Sequence, residues 1–402
     1  MKKLSVVLYL VILFMVAFGC GAVFGVPQAD EIIDDANKQE IETETVADMS
    51  EDHNVSVITE ENVVLTETEV LPPEDEYDDE EEMHLIEDTP PPAFGFIDLH
   101  ADTITRVILR NQNLLRNSLH VDFERLYGFG APVQVFALWS SDRYVADAFN
   151  YTNSLIDYFE REVAKHSDMI EIALTLEDME RNARNNKISA ILAIEGGEAL
   201  MGKIENVDHF YNRGVRIMTL TWNRENALGF GQATNSTRGL KPFGFEVVKR
   251  MEELGMIVDI SHINEAGFWD FHEASTRPYM ASHSNSYSLT PHNRNLRDNQ
   301  ILALAERGGI VGLAFYPLLL TSSGSASIDD IIANIRHFVD LGVGDIVGLG
   351  GDLDGFGTMP RGLTDVSSFR IIAERVAEEF DETFAARFMS GNFHDFFIHY
   401  FD

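Results

Sequence analysis

Residues of the kinds that bind metal ions stand where short apolar runs of this 402-residue chain end. His100 and Asp102 are two positions apart after the first run, so both side chains point to the same side of a strand and can grip one cation. Glu195 follows four apolar residues, where a carboxylate is costly to bury unless it is paired or bound to a metal. His262 and His283 end two later runs. Together these five side chains suffice for two metal ions that share Glu195.

Two further carboxylates, Asp352 and Asp354, lie in a glycine-rich segment after the last apolar run. One of them could accept the proton of a water that the metals hold, because that step needs a general base in contact with the nucleophile. The alternative for Asp354 is an ordinary Asp-Gly turn. Each motif alone also fits a structural residue, but their order along the chain and their shared position at run ends favour a single site.

The apolar runs that precede these residues indicate the strands of a parallel sheet. From residue 94 onward they alternate with amphipathic stretches of ten or more residues, as in repeated βα units. Eight such strands favour an α/β fold with a closed (β/α)8 TIM barrel over an open doubly wound sheet, and the active site of such a barrel lies at the C-terminal ends of its strands. The predicted strands are 95–99, 133–139, 188–194, 215–220, 256–260, 279–281, 310–315 and 346–349. The predicted helices include 151–165, 243–254, 298–307 and 328–341, with extra C-terminal helices in 367–401.

The first quarter of the chain differs in composition from the rest. Residues 1–20 predict an export signal. Cys20 stands where a bacterial lipoprotein is acylated, and an uncleaved membrane anchor is the alternative because the apolar stretch continues beyond it. Residues 21–94 hold 24 Asp and Glu against one Lys, which predicts a disordered acidic linker. The barrel domain would then occupy residues 95–402.

The overall composition excludes other kinds of protein. The formal net charge of −36 argues against nucleic-acid binding, since neutralising phosphates needs a basic face. A single cysteine leaves no intramolecular disulfide. Apolar residues make up 45% of the chain, which is enough to bury a large core.

Seven segments of the chain resemble the membrane dipeptidase (renal dipeptidase) family of zinc metallopeptidases, within the amidohydrolase-like barrels. The likeness covers about residues 95–393, and the segments match in order and spacing. They are IDLHADT, AIEGGEAL, MTLTWN, DISH, SHSNSY, HNRNLRD and GGDLDG. The resemblance implies that His100, Asp102 and Glu195 bind one zinc ion, and that Glu195, His262 and His283 bind the second. It further implies that a hydroxide held between the two ions attacks the peptide carbonyl.

The same resemblance implies roles for residues around the metals. Asp352 would be the acid/base that moves the proton to the leaving amine. Arg294 matches the position that recognises the substrate's C-terminal carboxylate, which a guanidinium fork binds bidentately; a surface arginine that starts a helix is the alternative. Trp222 stands where the family often has a histidine that contacts the tetrahedral intermediate, and indole can donate a hydrogen bond but cannot titrate. Asn223 or Arg224 could supply the missing donor.

These features predict an exported, membrane-attached dipeptidase that needs two zinc ions, with L,D-dipeptides among its candidate substrates. The alternative enzyme is another binuclear-metal amide or ester hydrolase, such as a lactonase or deacylase. Arg294 distinguishes the two, because a free substrate carboxylate is expected only if Arg294 faces the metals. A non-catalytic surface protein with a vestigial metal site is the alternative from another class, although no expected ligand is missing. A homodimer is one assembly that the sequence leaves open.

Overall fold

The computed structural model describes residues 94–141 and 143–401 of the chain. The export signal of residues 1–20 with Cys20, and the acidic segment 21–94 apart from Phe94, lie outside the described residues, so these stay predictions. None of the helices in the described part is long and apolar enough to cross a membrane.

A ring of parallel strands forms the centre of the described chain. In chain order the strands are β1 (Ile97–Ala101), β2 (Val133–Trp139), β3 (Ile170–Ile172), β4 (Ile188–Glu195), β5 (Val215–Thr219), β6 (Ile257–Asp259), β7 (Met280–Ala281), β8 (Ile310–Leu313) and β9 (Val347–Leu349). From β4 to β9 each strand pairs with the next, and β1 pairs with both β9 and β2. The ring closes because β2 pairs with β4 along all of Val133–Trp139. The predicted eight-stranded barrel is therefore confirmed.

Strand β3 is a ninth strand that was not predicted from the sequence. It pairs with the first three residues of β4, whereas β5 pairs with the second half of the same strand, from Leu192 to Glu195. Because β3 pairs only with the N-terminal part of β4, it is an addition to the barrel wall and not one of the eight barrel strands. Its three residues are too few to carry a recognisable strand pattern.

Helices connect the strands and cover the outside of the barrel. Their bounds are Thr103–Leu109, Phe123–Tyr127, Ala148–Lys165, Leu176–Arg184, Glu205–Asn212, Pro242–Leu254, Glu265–Ala274, Asp298–Glu306, Pro317–Leu320, Ile328–Asp340, Phe369–Glu379, Glu382–Ala386 and Asn392–Phe401. The four helices predicted by range are all present, with ends within three residues of the prediction. The last three helices form the C-terminal extension predicted for 367–401.

Local sequence accounts for several helix ends. Thr175 and Asp178 form a capping box, in which each side chain accepts a hydrogen bond from the other residue's backbone N–H. Pro242 begins its helix at a position where the missing N–H costs nothing. The same helix ends at Gly255, whose φ of 73° lies in the left-handed region that glycine adopts without strain.

The strands are buried on both faces, as parallel strands under a layer of helices must be. All eight residues of β4 are buried, and the last of them is Glu195. Side chains alternate along β1, so Asp98 and His100 share a face. Asp98 accepts hydrogen bonds of 2.6 Å from the Gln134 side chain and from the Gly351 N–H. This carboxylate therefore ties β1 to β2 and to the segment after β9, one step along the strand from His100.

Candidate metal centre

The five predicted metal ligands converge at the C-terminal end of the barrel. The two carboxylate oxygens of Glu195 face different partners: Oε2 lies 3.6 Å from His100 Nε2, and Oε1 lies 3.0 Å from His262 Nε2 and 3.7 Å from His283 Nε2. His100 Nε2 is also 3.5 Å from Asp102 Oδ2. Within each predicted triad the ligand atoms lie within 4.8 Å of one another. Glu195 thus stands between two groups of donors, each of a size to hold one cation.

The ends of β1, β4, β6 and β7 deliver these side chains. His100 lies on β1, whereas Asp102 is the residue before the helix Thr103–Leu109, so the two converge across a strand end and not along one continuous strand. His262 follows β6 with a φ of 68°, a left-handed conformation that costs a non-glycine residue about 1–3 kcal/mol. Asp352 and Asp354 share this conformation, with φ of 53° and 69°. Three residues of the site thus carry backbone strain, as is common where side chains must be aimed precisely.

His262 is held by a side chain behind it. Its Nδ1 lies 2.8 Å from Asn223 Oδ1, and the same oxygen accepts a hydrogen bond of 2.9 Å from Gln232 Nε2. Because Asn223 presents its oxygen, His262 Nδ1 carries the proton and Nε2 presents its lone pair to Glu195. Asn223 also lines the cavity beside the cluster, so its predicted contact with substrate stays a prediction.

His283 is held by a longer chain of hydrogen bonds. Its Nδ1 lies 2.7 Å from Ser282 Oγ, and Ser282 Oγ donates to Asp259 Oδ2 at 2.5 Å. Since the serine proton goes to Asp259, the serine oxygen must accept from His283 Nδ1–H. His283 Nε2 therefore also presents a lone pair to the cluster. Histidine ligands in metal sites are commonly oriented in this way.

The donor set fits a divalent cation. His262 Nε2 and His283 Nε2 lie 2.9 Å apart, and two neutral rings that both protonate Nδ1 would bring two lone pairs together. Burial holds the pKa of both histidines well below the usual value, which keeps the rings neutral. His100 Nε2 is buried and has no hydrogen-bond partner among the described residues. A cation bound by nitrogen and oxygen ligands would satisfy all three atoms.

The carboxylates also indicate a site built for positive charge. Burial, and then the charge of Asp102, raise the pKa of Glu195 to about 7. Burial also raises the pKa of Asp352 to about 8, assisted by the charges of Asp102 and Glu195. Without a cation the cluster retains protons near neutral pH, and a metal ion would displace them.

Asp352 and Asp354 have different surroundings. Asp352 places a carboxylate oxygen within 4.8 Å of ligand nitrogens of His100 and His283. Asp354 is buried, accepts a 2.6 Å hydrogen bond from Thr103 Oγ1, and accepts a second from the His120 N–H. Asp354 therefore fastens neighbouring segments, whereas Asp352 faces the metal ligands.

Gly355 makes room beside Asp352. A Cβ at this position would lie 2.1 Å from Asp352 Oδ1 and 2.7 Å from Asp102 Oδ2. Any other residue here would displace one of the two carboxylates.

A cavity of about 450 Å³ opens onto the cluster. Arg294 lines it together with Glu195, His262 and Asp352, and only 7% of this arginine is exposed. Its Nη2 donates a 3.1 Å hydrogen bond to the carbonyl oxygen of His283. Arg294 is therefore a buried cavity residue beside the metal ligands and not a surface arginine at the start of a helix.

Two tryptophans form one side of the same cavity. The ring of Trp222 lies 5.0 Å from that of Trp139 and 6.1 Å from that of His262. Trp139 is directly opposite Glu195 in the β2–β4 pairing. Trp222 was predicted from the sequence to lie at the site, whereas Trp139 was not, because its position depends on the register of two strands distant in sequence. Arg224 is exposed, next to Asn223 in the chain.

Comparisons with known proteins place the sequence in a family. Residues 92–396 match the model of the membrane dipeptidase family, peptidase family M19. An uncharacterized dipeptidase of Schizosaccharomyces pombe is 31% identical over 315 residues, which cover 71% of this chain and 75% of that protein.

Solved structures share the fold. A metallo peptidase from Rhodobacter sphaeroides, liganded with a phosphinate mimic of L-Ala-D-Ala, has a TM-score of 0.70 at 23% identity and covers 76% of this chain and 99% of that one. A dipeptidase of family M19 has a TM-score of 0.72 at 24% identity, covering 77% of this chain and 99% of that one. At these identities the likeness concerns the fold.

Proposed function

The chain belongs to the membrane dipeptidase family of metallopeptidases, and from this premise we propose that it hydrolyses dipeptides with two zinc ions that share Glu195. The observation that carries the proposal is the orientation of Glu195. One of its oxygens faces His100 and the other faces His262 and His283. Each ion would have three ligands from histidine nitrogens and carboxylate oxygens, and zinc commonly binds such a set.

Two bound cations would lower the pKa of a water and polarise the scissile carbonyl. In this proposal the residues of the chain orient the metal ligands and transfer the proton. Asn223 and Ser282 keep His262 and His283 in the tautomer that turns Nε2 inward. Asp352, whose carboxylate faces the same cluster, transfers a proton to the leaving amine. Trp222 supplies an indole N–H on the cavity wall and no titrating group.

The cavity supports a dipeptide as the substrate. Arg294 shares one cavity of about 450 Å³ with Glu195 and Asp352. A guanidinium in the same cavity as the metal ligands suits a substrate whose free C-terminal carboxylate lies close to the bond that is cleaved, as in a dipeptide. This arrangement favours a dipeptidase over a lactonase or deacylase, whose substrates need no free carboxylate.

The test is hydrolysis of a panel of L,L- and L,D-dipeptides by the purified full chain. Activity is measured before chelation, after chelation and after Zn²⁺ is restored, with C-terminal amides of the same dipeptides as controls. We expect cleavage that is lost with the chelator, returns with Zn²⁺ and is far less efficient for the amides than for the free dipeptides. The L,D members of the panel decide whether a D-residue at the C-terminal side is accepted.

A Glu195→Gln variant is the matched control for the metal site, because glutamine keeps the shape of glutamate but cannot bridge two cations as a carboxylate does. Bound zinc is counted by elemental analysis in both proteins. Cleavage that survives complete metal removal would contradict the proposal. Tight Zn²⁺ binding without any dipeptide cleavage would leave a metal site and reject the dipeptidase activity.

A further inference from the structure

We propose that His292 donates a second hydrogen bond to the substrate's C-terminal carboxylate, beside Arg294. This inference rests on the proposed dipeptidase function and adds a residue that determines substrate specificity. His292 lines the same cavity as Arg294 and the metal ligands. It is half-buried and stands two positions before Arg294 in the chain.

A local turn determines the proton position on the His292 ring. The backbone N–H of Arg294 donates a 3.1 Å hydrogen bond to His292 Nδ1. A ring nitrogen that accepts a hydrogen bond carries no proton, so the neutral ring must be protonated at Nε2. The turn that presents Arg294 to the cavity therefore also makes His292 Nε2 a donor.

The charge state of the ring agrees with this assignment. Burial, and then the positive charge of Arg294, lower the pKa of His292 to about 4. The ring is neutral at physiological pH and contributes a directed N–H without a second full charge. With Nδ1 turned back to its own loop, the Nε2 edge is the one left for the cavity.

A carboxylate has more acceptor capacity than one guanidinium uses. Its two oxygens offer about four lone-pair sites, and a bidentate arginine occupies two of them. Arg294 is already braced by its 3.1 Å hydrogen bond to the carbonyl oxygen of His283. A neighbouring neutral donor would complete the recognition of the carboxylate and distinguish it from an amide, which presents hydrogen atoms at one of the two positions.

Two substitutions distinguish the proposed hydrogen bond from His292 Nε2 to the substrate from the hydrogen bond that His292 Nδ1 accepts within its loop. In His292→Asn the side-chain oxygen lies near the position of Nδ1 and can still accept from the Arg294 N–H, but the donor at Nε2 is lost. In His292→Gln the carboxamide NH2 reaches the position of Nε2, but the acceptor for the Arg294 N–H at the position of Nδ1 is lost. KM and kcat are measured in the full zinc-loaded enzyme for a dipeptide and for its C-terminal amide.

For His292→Asn we expect KM for the free dipeptide to rise about tenfold with kcat nearly unchanged, because a hydrogen bond to a charged group is lost equally in the ground and transition states. The amide should respond little, and His292→Gln should stay close to the parent. The inference is overturned if His292→Asn behaves like the parent while His292→Gln loses activity, or if dipeptide and amide respond equally. A parent enzyme that cleaves no dipeptide is a separate result, which rejects the proposed function and this inference with it.

Discussion

Replacing Asp259 with asparagine is expected to move the ring proton of His283 from Nδ1 to Nε2 and so to weaken the binding of metal. The Asp259 carboxylate is buried and accepts hydrogen bonds from four donors. The N–H groups of Ser261 and Ser282 bind Oδ1 at 2.9 and 3.0 Å, and the hydroxyls of Thr219 and Ser282 bind Oδ2 at 2.8 and 2.5 Å. An asparagine can keep its oxygen toward the two backbone groups, and its NH2 then faces both hydroxyls.

The magnitude follows from what the Ser282 hydroxyl must then do. As it now accepts from the asparagine NH2, its proton is free to turn toward His283 Nδ1, which would leave the ring proton on Nε2, facing the metals. Loss of a partner behind a metal-binding histidine typically lowers metal affinity about 10–100-fold. Because Asp259→Asn reverses the tautomer and does not merely loosen the ring, we expect the upper end, about 100-fold, or roughly 2.7 kcal/mol.

The assay is a competition titration of Zn²⁺ with a chromophoric chelator, with thermal melting to verify that each variant folds. Ser282→Ala removes the acceptor without imposing the wrong tautomer, so its loss should be smaller, about tenfold. Thr219→Val removes the other hydroxyl on Oδ2 but leaves the path to His283 intact, so it should lower stability and leave Zn²⁺ affinity near that of the parent. A folded Asp259→Asn variant with parental Zn²⁺ affinity, or a larger loss in Ser282→Ala, would refute the reasoning.

Three further predictions concern catalysis and pH. Arg294→Lys keeps the charge but loses the planar fork, so KM for a free dipeptide should rise about tenfold in steady-state assays, and an unchanged KM would argue against carboxylate binding there. Asp352→Asn should lower kcat by about 10²–10⁴-fold while the zinc content stays at two ions, and a parental kcat would exclude Asp352 as the proton carrier. Burial raises the pKa of Glu195 to about 7 and of Asp352 to about 8. Above about pH 7.5, where the histidines of the unfolded chain are mostly neutral, the metal-free folded chain therefore binds more protons than the unfolded chain. Its melting temperature should therefore fall, and its Zn²⁺ affinity rise, as pH increases from about 7.5 to 8.5; a melting temperature that rises over this window would contradict the assignment.

The fold was predictable because its signals are local and repeated. Strands of a parallel barrel are buried on both faces and appear as apolar runs, and the helices between them appear as amphipathic stretches. The prediction failed for Ile170–Ile172, which has three residues and pairs with only part of β4. The bounds of β1 also moved from 95–99 to Ile97–Ala101, which places His100 inside the strand and Asp102 at the start of the next helix.

The residues around the metal ligands were less predictable. Asp259 and Ser282 carry no signal as a pair, because they come from different strands, β6 and the end of β7, and meet only through the register of the sheet. Trp139 faces Glu195 for the same reason. His292 stood inside a recognised segment, yet the direction of its proton depends on the turn that leads to Arg294.

The sequence by itself determined the number of barrel strands, the residue types at their ends and the resemblance to a family, because each of these is written in short stretches of neighbouring residues. The tertiary structure alone decided which oxygen of Glu195 faces which histidine, which nitrogen of each histidine carries the proton, and that Arg294 is buried in the cavity. These depend on atoms brought within about 3 Å of each other from segments tens or hundreds of residues apart, and hydrogen-bond direction is set only at that distance.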